Sequence, residues 1–327
     1  MSTTLPMTGQ DPFGDLVKLM QRWYDDGMPT DMIVTRIRAE GTMYKEIGVP
    51  APELERLRQA ETRINEAETA KSLGLELIIT DHHEFAERLP EAAAIVHPRL
   101  PGHDYPFAGL CGAGVAFKLA WAICQRASQS KKVSEPMRNF LLSAVGLAAI
   151  GTIADVVPLL DENRILVTHG LKSLFSQPPL GIRKLLEVTK LHEKSSLDSE
   201  NIAFMIAPRL NAAGRFGQAQ LAVELMTTDS EQRAQQLAEY IHELNGSRDS
   251  LERSIMIGAN KQSKEEFDAD TDPAFVLAGR DWHVGVIGLV AGRLAEKFGR
   301  PVVLISLDKL GVKPGVGSAR SGGSTNL

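Results

Sequence analysis

The sequence predicts an α/β protein preceded by a helical segment, and three observations carry that reading. Short apolar, branched runs bounded by Gly, Pro or Asp recur at 75–80, 92–97, 274–278 and 301–307, the pattern of strands buried in a parallel sheet. Stretches with apolar residues at helical spacing alternate with these runs, and such alternation builds layered α/β structure. The first sixty residues carry the helical pattern alone.

In chain order, Leu16, Leu19, Met20 and Trp23 mark one helix, and Ile33, Val34 and Ile37, ending at Gly41, a second. A third runs from about Pro52 through Leu54, Leu57 and Ile64 to about Leu73, with Gly74 as its stop. The spacing admits a helix-turn-helix, but no residue is diagnostic of one. Leu75 to Thr80 reads as a buried parallel strand, and Ala92 to His97 as another, closed by Pro98. Helical patterns follow at 114–128, 136–154, 161–175 and 217–227. Ser230 to Lys264 is one long charged helix, with Gly246-Ser247 as a point where it could break. The acidic, turn-rich stretch Glu265 to Pro273 is the predicted boundary before a strand, a helix (Val284 to Phe298) and a strand. The expected division is therefore a helical segment at 1–62, a core at 63–229, a connecting helix at 230–264 and a second α/β unit at 265–327, whose last seven residues have a flexible composition.

Composition narrows the function classes. Thirty-six Lys and Arg against forty-one Asp and Glu give a net charge of −5 and a pI near 6.0. That excludes a surface basic all over, though not a local basic groove. Cys111 and Cys124 sit in apolar surroundings without metal-binding spacing, as expected of reduced core thiols in a cytoplasmic protein. Met1 to Gln10 has no apolar stretch of the kind a signal peptide needs. Phe140 to Ala154, interrupted by Ser143, Gly146, Gly151 and Thr152, falls short of a membrane span and reads as a buried helix.

Four clusters could carry chemistry. Asp81-His82-His83 follows the strand at 75–80, and ligands in open α/β sheets bind beyond the carboxyl ends of strands. Nitrogen and hard oxygen together suit manganese, zinc or iron better than calcium; the alternative is a surface loop with solvated histidines. Asp155 lies among apolar and small neighbours in Gly151-Thr152-Ile153-Ala154-Asp155-Val156-Val157-Pro158-Leu159. A buried carboxylate there requires a partner or a metal, unless it is a turn or cap residue before Pro158. In Arg209-Leu210-Asn211-Ala212-Ala213-Gly214-Arg215 two arginines and an amide bracket small residues. A guanidinium fork matches phosphate oxygens; a turn with solvated arginines is the alternative. His283 opens a helix in Trp282-His283-Val284-Gly285-Val286-Ile287-Gly288, and Ser318 and Arg320 add a hydroxyl and a guanidinium. Singly, these last residues read as a helix cap and an ordinary loop.

Together, in this order, the four clusters resemble the DHH phosphoesterase superfamily and, within it, the RecJ family of bacterial single-strand-specific exonucleases. The resemblance covers roughly Glu66 to Arg320. It implies a parallel-sheet DHH core followed by a partial DHH-associated domain. It also implies a manganese- or magnesium-dependent phosphodiesterase that removes nucleotides from a 5′ end of single-stranded DNA in repair and recombination. By the matched positions His82 and Asp155 would bind metal, with Asp81 and His83 in or against the first shell. Arg209, Asn211 and Arg215 would hold the strand or its phosphate, and His283, Ser318 and Arg320 would belong to the associated domain, across a cleft from the metal. The chain departs from the family pattern upstream, where an Asp-x-Asp-Gly motif and a further aspartate are expected. Tyr24-Asp25-Asp26-Gly27 echoes the first but follows a helical pattern rather than a strand. The family's glycine- and histidine-rich motif after residue 320 is likewise not present, so a partial or rearranged copy is expected. Two other readings stay open: a non-catalytic single-stranded-nucleic-acid-binding relative, favoured by the missing acidic motifs, and a phosphodiesterase of oligonucleotides or cyclic dinucleotides. The sequence points to no membrane and to no particular protein partner.

Overall fold

The computed structural model describes residues 67–322 apart from 75, 86–88, 103, 129–131 and 269–271. The helices expected before residue 63, Asp25 among them, and the tail at 323–327 lie outside the described residues. The described chain forms two compact bodies that divide between Gly246 and Ser247.

In the first body a short helix, α1 (67–72), ends at Gly74, whose φ of +70° makes it the stop the sequence predicts. Strands β1 (Ile78–Thr80) and β2 (Ala94–Val96) pair in parallel, Ile78 opposite Ala94 and Thr80 opposite Val96. The expected burial of β1 is corrected: only three residues pair, and Ile78 is 62% exposed. A parallel strand is buried on both faces only where helices cover them, and apolar composition alone does not supply the cover.

Helices α2 (Gly112–Ala127), α3 (Glu135–Ala154) and α4 (Asp161–Ser176) follow close to the predicted bounds. α3 is long and apolar enough, by length and composition, to cross a membrane. Here its apolar residues serve two cores. Ala149, Ile150 and Ile153 join the larger one with Leu174, Leu185, Ile206, Leu225 and Ile241. Leu141, Val145 and Ala148 join the other with Leu110, Val115, Phe117 and Leu166. α3 and α4 approach closely because Gly170 has no side chain: a Cβ there would lie 2.3 Å from that of Ala149 and 2.5 Å from the Val145 carbonyl oxygen.

Beyond α4 the chain is more helical than the sequence predicts. α5 (Leu180–Val188), where no helix is predicted, starts directly after Pro178-Pro179, with Pro179 as its N-cap; a proline ahead of the first helical residue leaves no intrahelical hydrogen bond unmade. α6 (Ser199–Asn201) opens on a capping box between Asp198 and Asn201. It continues through a π-helical turn, Ile202–Ile206, into α7 (Ala207–Arg215), and α8 (Ala219–Thr227) follows. α9 runs unbroken over Glu231–Glu266, so Gly246-Ser247 does not interrupt it.

In the second body β3 (Phe275–Gly279), α10 (Val284–Phe298) and β4 (Val302–Ser306) form the strand–helix–strand unit the sequence predicts, with β3 and β4 parallel. Its core packs Phe275, Leu277, Val286, Val290, Leu294, Val302 and Leu304 with Ile255 of α9. A third strand, β5 (Val316–Arg320), pairs antiparallel to β4. Gly-Ser-Ala-Arg carries no strand signal of its own, and β4's open edge supplies the partner.

Candidate metal centre

The first cluster forms where β1 ends. The Asp81 N–H donates to the Val96 carbonyl (3.2 Å), extending the β1–β2 ladder by one bond before the chain turns away. Oδ1 of Asp81 then folds the next residues round itself. It accepts the His82 N–H at 2.8 Å and the His83 N–H at 3.4 Å, and lies 2.6 Å from Nδ1 of His83. A carboxylate on one ring nitrogen orients the other toward a ligand. The donor atoms of Asp81, His82 and His83 all lie within 4.8 Å of one another.

Asp155 arrives from α3, whose C-cap it is, its N–H bonded to the Gly151 carbonyl at 3.0 Å. Its expected burial is corrected: the side chain is 40% exposed, because the helix ends here and the next residue turns outward. That residue, Val156, has φ +58°. A β-branched side chain in this conformation is costly, so the exit from α3 is a strained turn beside Asp155. Oδ2 of Asp155 lies 3.7 Å from Nδ1 of His82. Two donors each about 2.0–2.2 Å from one ion are about 3 Å apart at right angles and about 4.4 Å apart when opposite. The His82–Asp155 pair thus falls within the range of a shared ion, and its imidazole and carboxylate, like those of Asp81 and His83, are donor types that suit a hard-to-borderline divalent cation.

Several residues that shape this site were not singled out from the sequence. The N-terminus of α2 stands against it: a Cβ on Gly112 would come 3.3 Å from Cδ2 of His82, and one on Gly151 of α3 would come 2.4 Å from the Cβ of Ala113. These two glycines let α2, α3 and the His82 ring meet. Cys111 caps α2, its sulfur accepting the Gly114 N–H at 3.4 Å, and it is buried with a free thiol, as is Cys124. From the end of β2, Nε2 of His97 lies 2.8 Å from the His83 carbonyl, and Nη2 of Arg99 donates to the His82 carbonyl at 2.7 Å. Burial pushes the His97 imidazole below its ordinary pKa. Only the adjacency of the two parallel strands brings this pair to the loop, a signal that appears once the sheet order is known.

The arginine cluster lies on α7 and not in a turn. Arg209 donates through Nε to Nδ1 of His242 at 3.0 Å and through Nη1 to the Met205 carbonyl at 2.5 Å, within the π-helical turn. Asn211 and Arg215, four residues apart, share the same helical face. α7 packs against α3, the helix that carries Asp155.

The remaining candidates belong to the second body. His283 caps α10, its Nδ1 accepting the Gly285 N–H at 3.1 Å, which leaves the ring proton on Nε2. Ser318 and Arg320 lie on β5, with Nη1 of Arg320 donating to Oγ of Ser318 at 3.1 Å. Gly288 of α10 faces both: a Cβ there would sit 3.0 Å from that Oγ and 3.3 Å from Nη2. The structure thus joins Ser318 and Arg320 on one strand beside α10.

The profile of the DHH family, N-terminal domain, matches residues 58–151, which include the Asp-His-His loop. The single-stranded-DNA-specific exonuclease RecJ of Bacillus subtilis is 40% identical over 266 residues, covering 81% of this chain and 31% of that protein. RecJ of Escherichia coli is 36% identical over 264 residues, 78% of this chain and 45% of its own length. A crystal structure of exonuclease RecJ bound to manganese superimposes with a TM-score of 0.66 at 36% identity, covering 80% of this chain and 61% of the other. A manganese complex of RecJ from Thermus thermophilus gives a TM-score of 0.61 at 37% identity, covering 71% and 33%. The chain spans between about a third and a half of the length of these curated relatives. Residues 58–151 are thus similar to the N-terminal domain of the DHH family, and about four fifths of the chain is similar in sequence to the RecJ exonucleases.

Proposed function

We propose that this chain is the metal-binding part of a RecJ-like, single-strand-specific DNA exonuclease that hydrolyses phosphodiesters from a 5′ end. The observation that carries the reading is the 3.7 Å approach of His82 to Asp155, residues that lie far apart in the sequence. His82 and Asp155 hold a manganese or magnesium ion, Asp81 orients His83 toward it, and the ion supplies charge stabilisation to the reacting phosphate. Asn211 and Arg215 hold the strand by its phosphates, and His242 aims the Arg209 guanidinium. In the second body, taken by itself, His283, Ser318 and Arg320 supply a proton donor, a hydroxyl and a guanidinium, groups of the kind that contact a phosphate. Contacts of this kind give binding that is independent of sequence and sensitive to salt. Work on DNA repair and recombination intermediates belongs in the cytoplasm, with single-stranded DNA as partner and no membrane.

A second reading has its own observation: among the described residues Asp81, His82 and His83 form a single group of three possible metal ligands, whereas a two-metal displacement needs ligands for two. On that reading the chain binds single-stranded DNA without cleaving it. Purified protein, manganese and 5′-labelled single-stranded DNA separate the two. Release of nucleotides, abolished by His82→Ala and by Asp155→Ala, is the expected result. Salt-sensitive binding with no cleavage at any manganese concentration establishes the binding relative instead.

A further inference from the structure

The ligand loop is held from behind as well as from within. β1 and β2 are neighbours and parallel, so the segments that leave their carboxyl ends run side by side. Two successive carbonyls of the loop, those of His82 and His83, are each taken by a side chain from the second segment: Nη2 of Arg99 at 2.7 Å and Nε2 of His97 at 2.8 Å. The grip is itself braced. The Arg99 backbone N–H donates to Nδ1 of His97 at 3.0 Å, which makes Nδ1 an acceptor and puts the proton on Nε2, where the His83 carbonyl needs it. His97 is 8% exposed and its ring lies 4.2 Å from that of Phe85. Arg99 also faces Glu84, Nη1 to Oε1 at 3.7 Å.

A three-residue ligand loop on a thin sheet would otherwise be free to rotate its peptide planes, and each rotation would swing an imidazole away from Asp155. We propose that His97 and Arg99 are positioning residues, which fix the His82 and His83 peptides through their carbonyls and hold the loop ready for a divalent cation. The inference rests on the reading of Asp81, His82, His83 and Asp155 as a metal site.

The test measures Mn2+ affinity directly, by electron paramagnetic resonance of free Mn2+ during titration, without reference to cleavage. His97→Ala and Arg99→Ala are expected to weaken binding about 10- to 100-fold, the usual effect of removing a group that orients metal ligands. Circular dichroism and the thermal midpoint should stay near those of the parent chain. His97→Gln, which keeps an N–H donor near the Nε2 position, should recover most of the affinity; a purely space-filling role would give no such rescue. Equal affinity in the parent, His97→Ala and Arg99→Ala overturns the proposal and leaves the metal site standing. No Mn2+ binding by the parent removes the metal reading and the proposal with it. Should His97→Ala fail to fold, Arg99→Ala against Arg99→Lys makes the same comparison at a side chain that is 40% exposed.

Discussion

The two sheets are held by different means. β3 and β4 pair over five residues each, and Phe275, Leu277, Val302 and Leu304 are all but inaccessible. β1 and β2 pair over three residues each, and none of those six is buried. Order in the second body comes from apolar burial, worth about 1.5–3 kcal/mol for each fully buried large side chain. Order at the Asp-His-His loop comes from hydrogen bonds to a carboxylate, an imidazole and a guanidinium. The lesson is that a loop can be set by polar contacts beyond the strand ends even where the strands themselves bury little.

That contrast can be broken by substitution. The largest effect should fall on the second body: Phe275→Ala removes a ring stacked 4.6 Å from Phe298 and should cost about 3–5 kcal/mol. Ile78→Ala in β1 should stay within about 0.5 kcal/mol, as at other surface positions. Urea unfolding at constant m-value checks both, and equal losses would erase the distinction between the sheets.

Next in size is Gly151→Ala. Its Cβ would meet that of Ala113 at 2.4 Å, so α2 and α3 must separate at the point where His82 and Asp155 converge. Overpacking of this kind should cost about 1–3 kcal/mol, and Mn2+ affinity should fall with it. A variant destabilised by this amount with unchanged Mn2+ affinity would show that the helix contact does not set the ligand spacing.

The smallest effect concerns Glu162, which accepts Nζ of Lys118 at 2.8 Å and the Tyr105 hydroxyl at 2.7 Å. Burial works to raise this carboxyl, but the hydrogen bonds from Lys118 and Tyr105 outweigh it and leave the pKa below its ordinary value. A depressed carboxylate stabilises the fold above its unfolded pKa, near about 4.3, and that contribution is lost as the pH falls through the folded value. Part of the pair faces solvent, so the contribution should be no more than about 1 kcal/mol. Glu162→Gln should therefore lower the thermal midpoint at pH 7, and its deficit should shrink as the pH drops below about 4. A deficit independent of pH would mean packing, and not charge, is the cause.

The polar and apolar halves of this picture differed in how far they could be read from the sequence. The strand–helix–strand of the second body was legible almost to the residue, because branched apolar runs and a helical period are local signals. Asp81, His82, His83 and Asp155 were legible as candidates, since such residues at a strand end and among apolar neighbours demand a reason. The shape of their surroundings was not. Asp155 is half-exposed because α3 ends beneath it, β1 is exposed because its cover is not a property of its own residues, and β5 exists because β4 has an open edge.

By itself the sequence determined the α/β class and the span of most helices, and it marked Asp81, His82, His83 and Asp155 as candidate metal ligands. The first two follow from local periodicity, and the last from carboxylate and imidazole side chains standing at the end of a strand and of a helix. Only the tertiary structure decided that His97 and Arg99 reach the loop, that Gly112 and Gly151 make room for it, and that Arg209 turns to His242. Each of these depends on which strands and helices become neighbours, and neighbours in space leave no mark at fixed spacing along a chain.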